Sequence, residues 1–437
     1  MLATCLINSI IRNCKKPAHM RTSLQKYKNI IVVSDLRLRT LLICLAIASK
    51  LQQIVFILGE ESITCYEFGS ASPSLYKAIK VALLSLFYPV LISPAATKQE
   101  CLACSTENFR NGAISSLISW TNDWMASQSK YPNEFSNFLS LSISGFRISS
   151  LINSLNPTSV FVFNGRLAST RSLVECIDRK DANVYYYEHG SVPHHYTLSL
   201  DPIHCFKSKK EKALAIYKSL QSSPSHAFIA DQAAVFKRNK INNVFTRHYQ
   251  HPADQCFYMT IFLSSPHELM ETGHISKWIS DLEFCDSILQ SIPLTESIAI
   301  RAHPNMARDP SSDEYLHQIS TIFYRHNVSI FGPKSNIDSY SLIKNSRTVA
   351  VNLSSIAIDA YFLGRTKIRF GYQFGDRIYF DFCESQNMPQ SARIDLMAQL
   401  CTIELLVDQI PLGPREVVAD FIFRSLDELL IKRRKST

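Results

Sequence analysis

Three groups of residues in this chain combine side-chain types and spacing suited to transfer chemistry on a phosphate-bearing donor. Arg301-Ala302-His303-Pro304-Asn305 follows a short apolar run, Ser297 to Ile300, and farther on Asn352-Leu353-Ser354-Ser355 follows another, Thr348 to Val351. His303 can offer a ring N–H, and Pro304 fixes the turn that aims it. Ser354 and Ser355 bring hydroxyls and backbone N–H groups to the start of a predicted helix, a natural seat for an anion. Glu188-His189-Gly190 closes a third run, Asn183 to Tyr187, and offers a carboxylate and an imidazole, either of which can take a proton from an attacking hydroxyl. Taken singly, His-Pro reads as a turn and Ser-Ser before a helix as an N-cap. Their shared position at the carboxyl ends of strands is what argues for a site.

Further residues fall at comparable places. Phe163-Asn164-Gly165-Arg166 lies between a strand and a helix. Asn164 and Gly165 permit a left-handed turn there, and Arg166 can point a planar cation at a carboxylate or phosphate; the alternative is a helix-entry turn with an exposed arginine. Ser264-Ser265 follows another strand, where nucleotide-binding folds receive phosphates, and His267 and Glu268 stand next to it. No glycine-rich fingerprint accompanies them, which argues against an NAD-type site. His194 and His195 beside Pro193 lack supporting carboxylate or cysteine spacing and read as part of a polar acceptor loop. No Asp-x-Asp motif is present, so metal-independent transfer is predicted, with no metal site and no cofactor beyond the donor.

The elements that must position these groups alternate. Strands are predicted at Asn29 to Val33, Ile54 to Leu58, Ser159 to Phe163 and Asn183 to Tyr187, with helices at Leu36 to Leu51 and Leu167 to Arg179. A helical, less patterned region is expected from Leu75 to Leu155, and a polar helical connection over Lys207 to Asn239. A second block follows, with strands at Phe257 to Leu263, Ser297 to Ile300, Val328 to Phe331, Thr348 to Val351 and Lys367 to Phe370. Its helices are expected near Ile275 to Ile292, Ser312 to His326, Asp338 to Lys344 and Ser355 to Phe362. Strands spaced by helices predict parallel sheets with right-handed crossovers. The fold class expected is α/β, two Rossmann-like domains facing a cleft, covering residues 1–250 and 251–437. A last helix, Pro414 to Ile431, is expected to return and brace the N-terminal domain.

Composition agrees with a large folded chain. The 437 residues are 46% hydrophobic and 19% charged, ample for two cores and unlike a disordered segment. The 12 cysteines are scattered, and the close pair Cys101 and Cys104 lacks the second pair of a zinc ribbon. They read as reduced thiols, and the location expected is cytoplasmic. The apolar runs Leu41 to Ala48 and Ile79 to Ile92 fall short of the roughly 20 residues a membrane span requires. Basic residues follow the apolar Leu6 to Ile11 rather than precede it, so the N-terminus does not read as a signal peptide, and Met20 is an alternative start. The net charge of +9 favours anionic partners. Lys432-Arg433-Arg434-Lys435 reads either as a solvated end or as a peripheral contact with an anionic inner membrane; no nucleic-acid partner is expected.

The order Glu188-His189-Gly190, His303-Pro304, Ser354-Ser355 resembles the short motifs of bacterial sialyltransferases and polysialyltransferases, which place an acidic pair before glycine, then a His-Pro, then a Ser-Ser or Ser-Thr. Residues from Ser159 to Gly371 are similar to bacterial capsule and surface-polysaccharide proteins, including the capsular Kdo transferases, in Phe163-Asn164-Gly165-Arg166, Glu188-His189-Gly190-Ser191 and Ser264-Ser265-Pro266-His267-Glu268. The resemblance implies the GT-B fold, with an acceptor-binding N-terminal domain and a nucleotide-sugar-binding C-terminal one. It implies Glu188 or His189 as base, and Arg301, His303, Pro304, Ser354, Ser355, Ser264 and Ser265 around the donor nucleotide. Asn164, Arg166, His267 and Glu268 are then expected at the substrate. The chain departs from the sialyltransferase pattern where Glu188 is followed by His189, which leaves the identity of the base open. Leu353-Ser354-Ser355, Asp359 and Phe370-Gly371-Tyr372 also resemble the teichoic-acid glycerophosphotransferases that use CDP-glycerol. Both relatives imply a cytidine nucleotide. The expected activity is transfer of a CMP-activated acidic sugar to a surface-polysaccharide or glycolipid acceptor. A CDP-glycerol transferase, a nucleotide-sugar epimerase and an inactive assembly scaffold stand as alternatives.

Overall fold

The computed structural model describes residues 27–33, 38–59, 80–81, 84–93, 107–180, 182–192, 194–202, 205–221, 223, 225–246, 255–265, 281–324, 327–352, 354–365, 367–371 and 377–413. In chain order the elements are β1 (Asn29–Val32), α1 (Leu38–Ala48), β2 (Ile54–Gly59), β3 (Val90–Ser93), α2 (Glu107–Thr121), α3 (Pro132–Leu155), β4 (Ser159–Phe163), α4 (Ala168–Cys176), β5 (Asn183–His189) and β6 (His195–Ser199). Next come α5 (Phe206–Leu220), α6 (Ser225–Thr246), β7 (Phe257–Phe262), α7 (Asp281–Leu289), β8 (Ser297–Arg301), a 3-10 turn (Pro304–Arg308), α8 (Ser312–Ile322) and β9 (Asn327–Phe331). The last are α9 (Ser339–Lys344), β10 (Ser346–Val351), α10 (Ile356–Phe362), β11 (Ile368–Phe370), α11 (Arg377–Ser385), α12 (Gln390–Leu406) and β12 (Gln409–Pro411).

These elements form two compact units. The first takes the described residues of Met1–Thr121, Ala126–His204 and Asp408–Thr437; the second takes Asn122–Met125 and Cys205–Val407. The first sheet has the order β12-β6-β5-β4-β1-β2-β3. It is parallel from β5 to β3 and closes with the antiparallel pairs β5–β6 and β6–β12. All six residues of β2 are buried, as a central parallel strand covered on both faces requires. One face packs on α1 through Leu41, Ile43, Cys44 and Ile47. The other packs on α3 and α4 through Ile148, Ile152, Leu173 and Val174.

The second sheet is entirely parallel, in the order β11-β10-β7-β8-β9. Its faces are covered by α7 and α8, through Phe284, Ile288, Tyr315 and Ile319, and by α10, α11 and α12, through Ala357, Tyr361, Tyr379 and Met397. The short segment Asn122–Met125 belongs here, since Trp124 packs edge-on against Tyr315 at 5.3 Å and Asp123 accepts the Ser311 hydroxyl at 3.0 Å. Both units are therefore α/β with the same core order: five parallel strands whose direction of winding reverses between the first strand and the fourth. Those reversals, at β1/β4 and β7/β10, are the points where doubly wound sheets bind ligands, outside the strands' carboxyl ends.

Several elements depart from the reading of the sequence. The domain boundary expected near residue 250 falls instead after His204, because α5 and α6 lay Ala213, Tyr217, Ile229 and Ala233 into the second unit's core. Lys210 of α5 also pairs with Glu404 of α12 at 3.0 Å, and Lys237 of α6 with Asp395 at 2.6 Å. The region expected to be helical from Leu75 to Leu155 contains the strand β3, which starts straight after Pro89. His195, assigned to a loop, opens the strand β6. The helix expected over Pro414 to Ile431, the basic tail, Met20, Cys101 and Cys104 lie outside the described residues. Among the described residues, no helix is long and apolar enough to cross a membrane.

Candidate functional site

In the first unit the chain leaves β4 at the switch point through Asn164 and Gly165, with φ of 56° and 83°. These are left-handed conformations that the two residue types tolerate best. A Cβ on Gly165 would strike the ring of Tyr186, so glycine is required for room as well as for φ. Asn164 is 3% exposed, and its N–H donates to the Tyr187 carbonyl at 2.9 Å. Its side-chain amide donates in a short hydrogen bond to Glu188 Oε2. The other carboxylate oxygen, Oε1, accepts the His189 N–H at 3.2 Å. Arg166 follows, half-buried.

Glu188 and His189 are the last two residues of β5 rather than residues beyond it, and this separates them. Successive side chains of a strand leave on opposite faces. Val184 and Tyr186 belong to the core on the α3–α4 face, and Tyr185 and Tyr187 to the α1 face. Glu188 therefore points to the α3–α4 side, and His189 to the other, where its ring meets Phe163 edge-on at 6.0 Å. The two are not interchangeable occupants of one position. On the Glu188 face the polar row continues through its cross-strand neighbour Thr197 to Gln409, whose Nε2 donates to Thr197 Oγ1 at 3.0 Å. Thr197 and Gln409 were not singled out from sequence, because their relation to Glu188 depends on the antiparallel additions β6 and β12.

In the second unit Ser264 and Ser265 leave β7, and Asn352, Ser354 and Ser355 leave β10, on the two sides of the switch point. His303 leaves β8, on the far side of β7 from β10. With strands about 4.8 Å apart, the three groups share one sheet edge within about 10 Å. His303 caps the following 3-10 turn, with Pro304 in its first positions, and its Nδ1 accepts the Asn305 N–H at 3.2 Å. A neutral ring so engaged carries its proton on Nε2. The Ser354 hydroxyl accepts the Ile356 N–H at 3.4 Å, whereas Ser355 is exposed and its side chain makes no capping bond.

Beneath these residues lies a carboxylate that no motif or spacing singles out. Asp281, 3% exposed at the start of α7, accepts the Ser264 N–H at 2.9 Å through one oxygen and the Asn352 amide at 2.9 Å through the other. It also takes a hydrogen bond from Tyr315. Burial raises its pKa to about 6, although all three hydrogen bonds favour the ionised form. Gly371, after β11, comes so close that a Cβ there would overlap the Asn352 amide. An aspartate in the first turn of a helix usually answers the helix dipole at the surface, and no spacing marks this one as buried.

Two candidates are occupied by structural duties. Arg301 is 7% exposed, and its guanidinium donates in a short hydrogen bond to the Gly332 carbonyl, with the carbonyls of Phe331 and Ser335 at 3.5 and 3.4 Å. Its place is to hold the loop after β9 rather than an open phosphate site. Asp359 is buried in α10, bound to Lys240 at 3.1 Å and to the Tyr340 hydroxyl at 3.3 Å, which weakens the glycerophosphotransferase likeness built on it. His194 adopts a φ of 58° in the tight connection from β5 to β6. Among the described residues no three His, Cys, Asp or Glu gather as a metal-ligand set. His267, Glu268, Pro193, Leu353 and Tyr372 lie outside the described residues.

The fold class these observations define is a pair of doubly wound α/β units. No protein-family profile matches the chain, and a comparison with the curated proteins finds no match. Among solved structures it is similar to Anabaena HepE, determined in complex with UDP and glucose, at 10% identity over 87% of this chain and 98% of that one, with a TM-score of 0.23.

Proposed function

We propose that the chain is a glycosyltransferase that uses a nucleotide-activated sugar, with a CMP-linked acidic sugar as donor and a saccharide or glycolipid as acceptor. The observation that carries the reading is the placement of its polar motifs at strand carboxyl ends, at or next to the switch points of two sheets of the same order. The cytidine base and the acidic sugar rest on the motif resemblance alone. In this reading the second unit holds the donor. His303, Ser354 and Ser355 face the nucleotide phosphate and stabilise its charge as the bond to the sugar breaks, above Ser264 and Ser265, which are buried. The first unit supplies the base: Glu188 takes the proton of the acceptor hydroxyl as its oxygen bonds to the sugar carbon, with Asn164 holding the carboxylate in place. Transfer proceeds without a metal, and its setting is the cytoplasmic side of the envelope.

The test needs no acceptor at first. CMP at 100 times its dissociation constant should stabilise the protein by about 2.7 kcal/mol, and His303→Ala should lose most of that gain while staying folded. Equal stabilisation of wild type and variant would remove His303 from the donor site, and stabilisation by UDP or GDP alone would replace the cytidine donor. With an acceptor in hand, Glu188→Gln should lower turnover by roughly 10²- to 10⁴-fold and leave the CMP response intact. Loss of turnover in His189→Ala instead would move the base to the opposite face of β5.

A further inference from the structure

We propose that Asp281 is the positioning residue of the donor site, a latch that joins the ends of β7 and β10 and favours an anion above them when its carboxyl carries a proton. The proposal rests on the reading of the second unit as the donor unit. At a switch point two neighbouring strands send their chains away in opposite directions, which opens the crevice and leaves its floor unsupported. Here one side chain spans that floor. Asp281 takes the Ser264 N–H with one oxygen and the Asn352 amide with the other, each at 2.9 Å, and so fixes both chains just before Ser265 and Ser354.

The groups that face this carboxylate come from four elements. They are the Ser264 N–H after β7, the Asn352 amide after β10, the Tyr315 hydroxyl from α8, and Cys285, one turn along α7 itself. Burial drives Tyr315 and Cys285 upward, and the neighbouring Asp281 charge adds to it, so both stay protonated at neutral pH. Asp281, raised by burial to about 6, is therefore the group that titrates. A carboxylate under a bound phosphate opposes it, and a carboxylic acid in the same place does not; protonation gives up the arm accepted by the oxygen that takes the proton and keeps the arm on the other oxygen. By linkage, an anion that prefers the protonated latch weakens as pH rises through the carboxyl's titration.

Isothermal titration of CMP, and separately of UDP, into the full chain at pH 5.5 and 7.5 tests this. For wild type the dissociation constant should rise roughly tenfold more across that interval than it does for Asp281→Asn, the size expected of a like charge nearby at an effective dielectric of about 20. The comparison cancels the titration of the nucleotide's own phosphate. Tyr315→Phe removes a hydrogen bond that favours the carboxylate, so its binding midpoint should move to higher pH, a shift that a purely structural tyrosine would not produce. Parallel pH profiles for wild type and Asp281→Asn, together with an unmoved midpoint in Tyr315→Phe, overturn the latch and leave the donor site standing. Absence of binding by either nucleotide at both pH values overturns the latch and the donor-site reading together.

Discussion

Replacing Lys210 by methionine should destabilise the second unit by about 3 kcal/mol, at the lower end of the range for stripping a partner from a buried ion pair. The ammonium of Lys210 lies 3.0 and 3.1 Å from the two oxygens of Glu404, with the Lys210 side chain 7% exposed and that of Glu404 17% exposed. Methionine keeps the unbranched apolar stem of lysine but leaves the carboxylate without its cation. It also removes the ammonium that sits 5.2 Å from the centre of the Tyr379 ring. The residual exposure of Glu404 lets water soften the loss, hence the lower figure. Lys210→Met with Glu404→Leu removes both charges and should return to within about 1 kcal/mol of wild type, since an apolar pair of similar volume avoids the desolvation cost. The four proteins form a double-mutant cycle, read by urea unfolding at unchanged slope, with a coupling of at least about 2 kcal/mol expected. Because Lys210 lies in α5 and Glu404 in α12, the cycle also reports whether α5 folds as part of the second unit. An additive cycle, with Lys210→Met within about 1 kcal/mol of wild type, would refute both the energetics and that assignment.

Asp281 makes a pH prediction that needs no ligand. With a pKa near 6 in the folded protein against an ordinary 3.8, the native state binds more protons than the unfolded chain between those values, so the contribution of Asp281 to stability falls as pH rises through that window. At about 1.4 kcal/mol per pH unit the loss is about 3 kcal/mol, so the melting difference between Asp281→Asn and wild type should widen in favour of the variant from pH 4 to pH 7; constant spacing would contradict it. Gly165→Ala combines a φ of 83° with a clash against Tyr186 and should cost roughly 1–3 kcal/mol in chemical unfolding, and a loss below about 0.5 kcal/mol would show that the turn can relax. Transfer activity should survive EDTA, and complete loss restored by magnesium or manganese would show that the side chains at the donor site do not balance the leaving phosphate by themselves.

The parallel cores were legible because their strands are dense runs of β-branched and aromatic residues between helical stretches. Ser159–Phe163 coincides with its expected span, and Asn29–Val32 and Ile54–Gly59 differ from theirs by one residue at the end. What escaped were strands whose existence depends on partners distant in sequence. Val90–Ser93 is an apolar run indistinguishable from buried helix until Pro89 and its pairing with β2 define it. His195–Ser199 and Gln409–Pro411 are short and polar or proline-bearing, and become strands only by pairing with each other and with β5. The polar residues after β4, β7, β8 and β10 could be placed at strand ends from pattern alone. The faces of Glu188 and His189 could not, since the strand runs two residues past its expected end and its alternation sets which way each points. Nor could the duties of Arg301 and Asp281, which are set by what surrounds them once buried.

The return of the chain as β12 bears on how the protein is made. Gln409 lies 212 residues beyond its partner Thr197, and nearly all the intervening chain belongs to the other unit. During synthesis the first unit can assemble its parallel core and the β5–β6 hairpin early, but β6 must wait as an open edge until the second unit has emerged. An open edge presents unpaired N–H and C=O groups to any neighbouring chain. Prior folding of the second unit shortens the effective loop, because a compact body replaces a free coil between the two ends. The connectivity thus delays the sealing of the first unit until the unit encoded in the middle has been made, and favours a sequence in which that unit folds first.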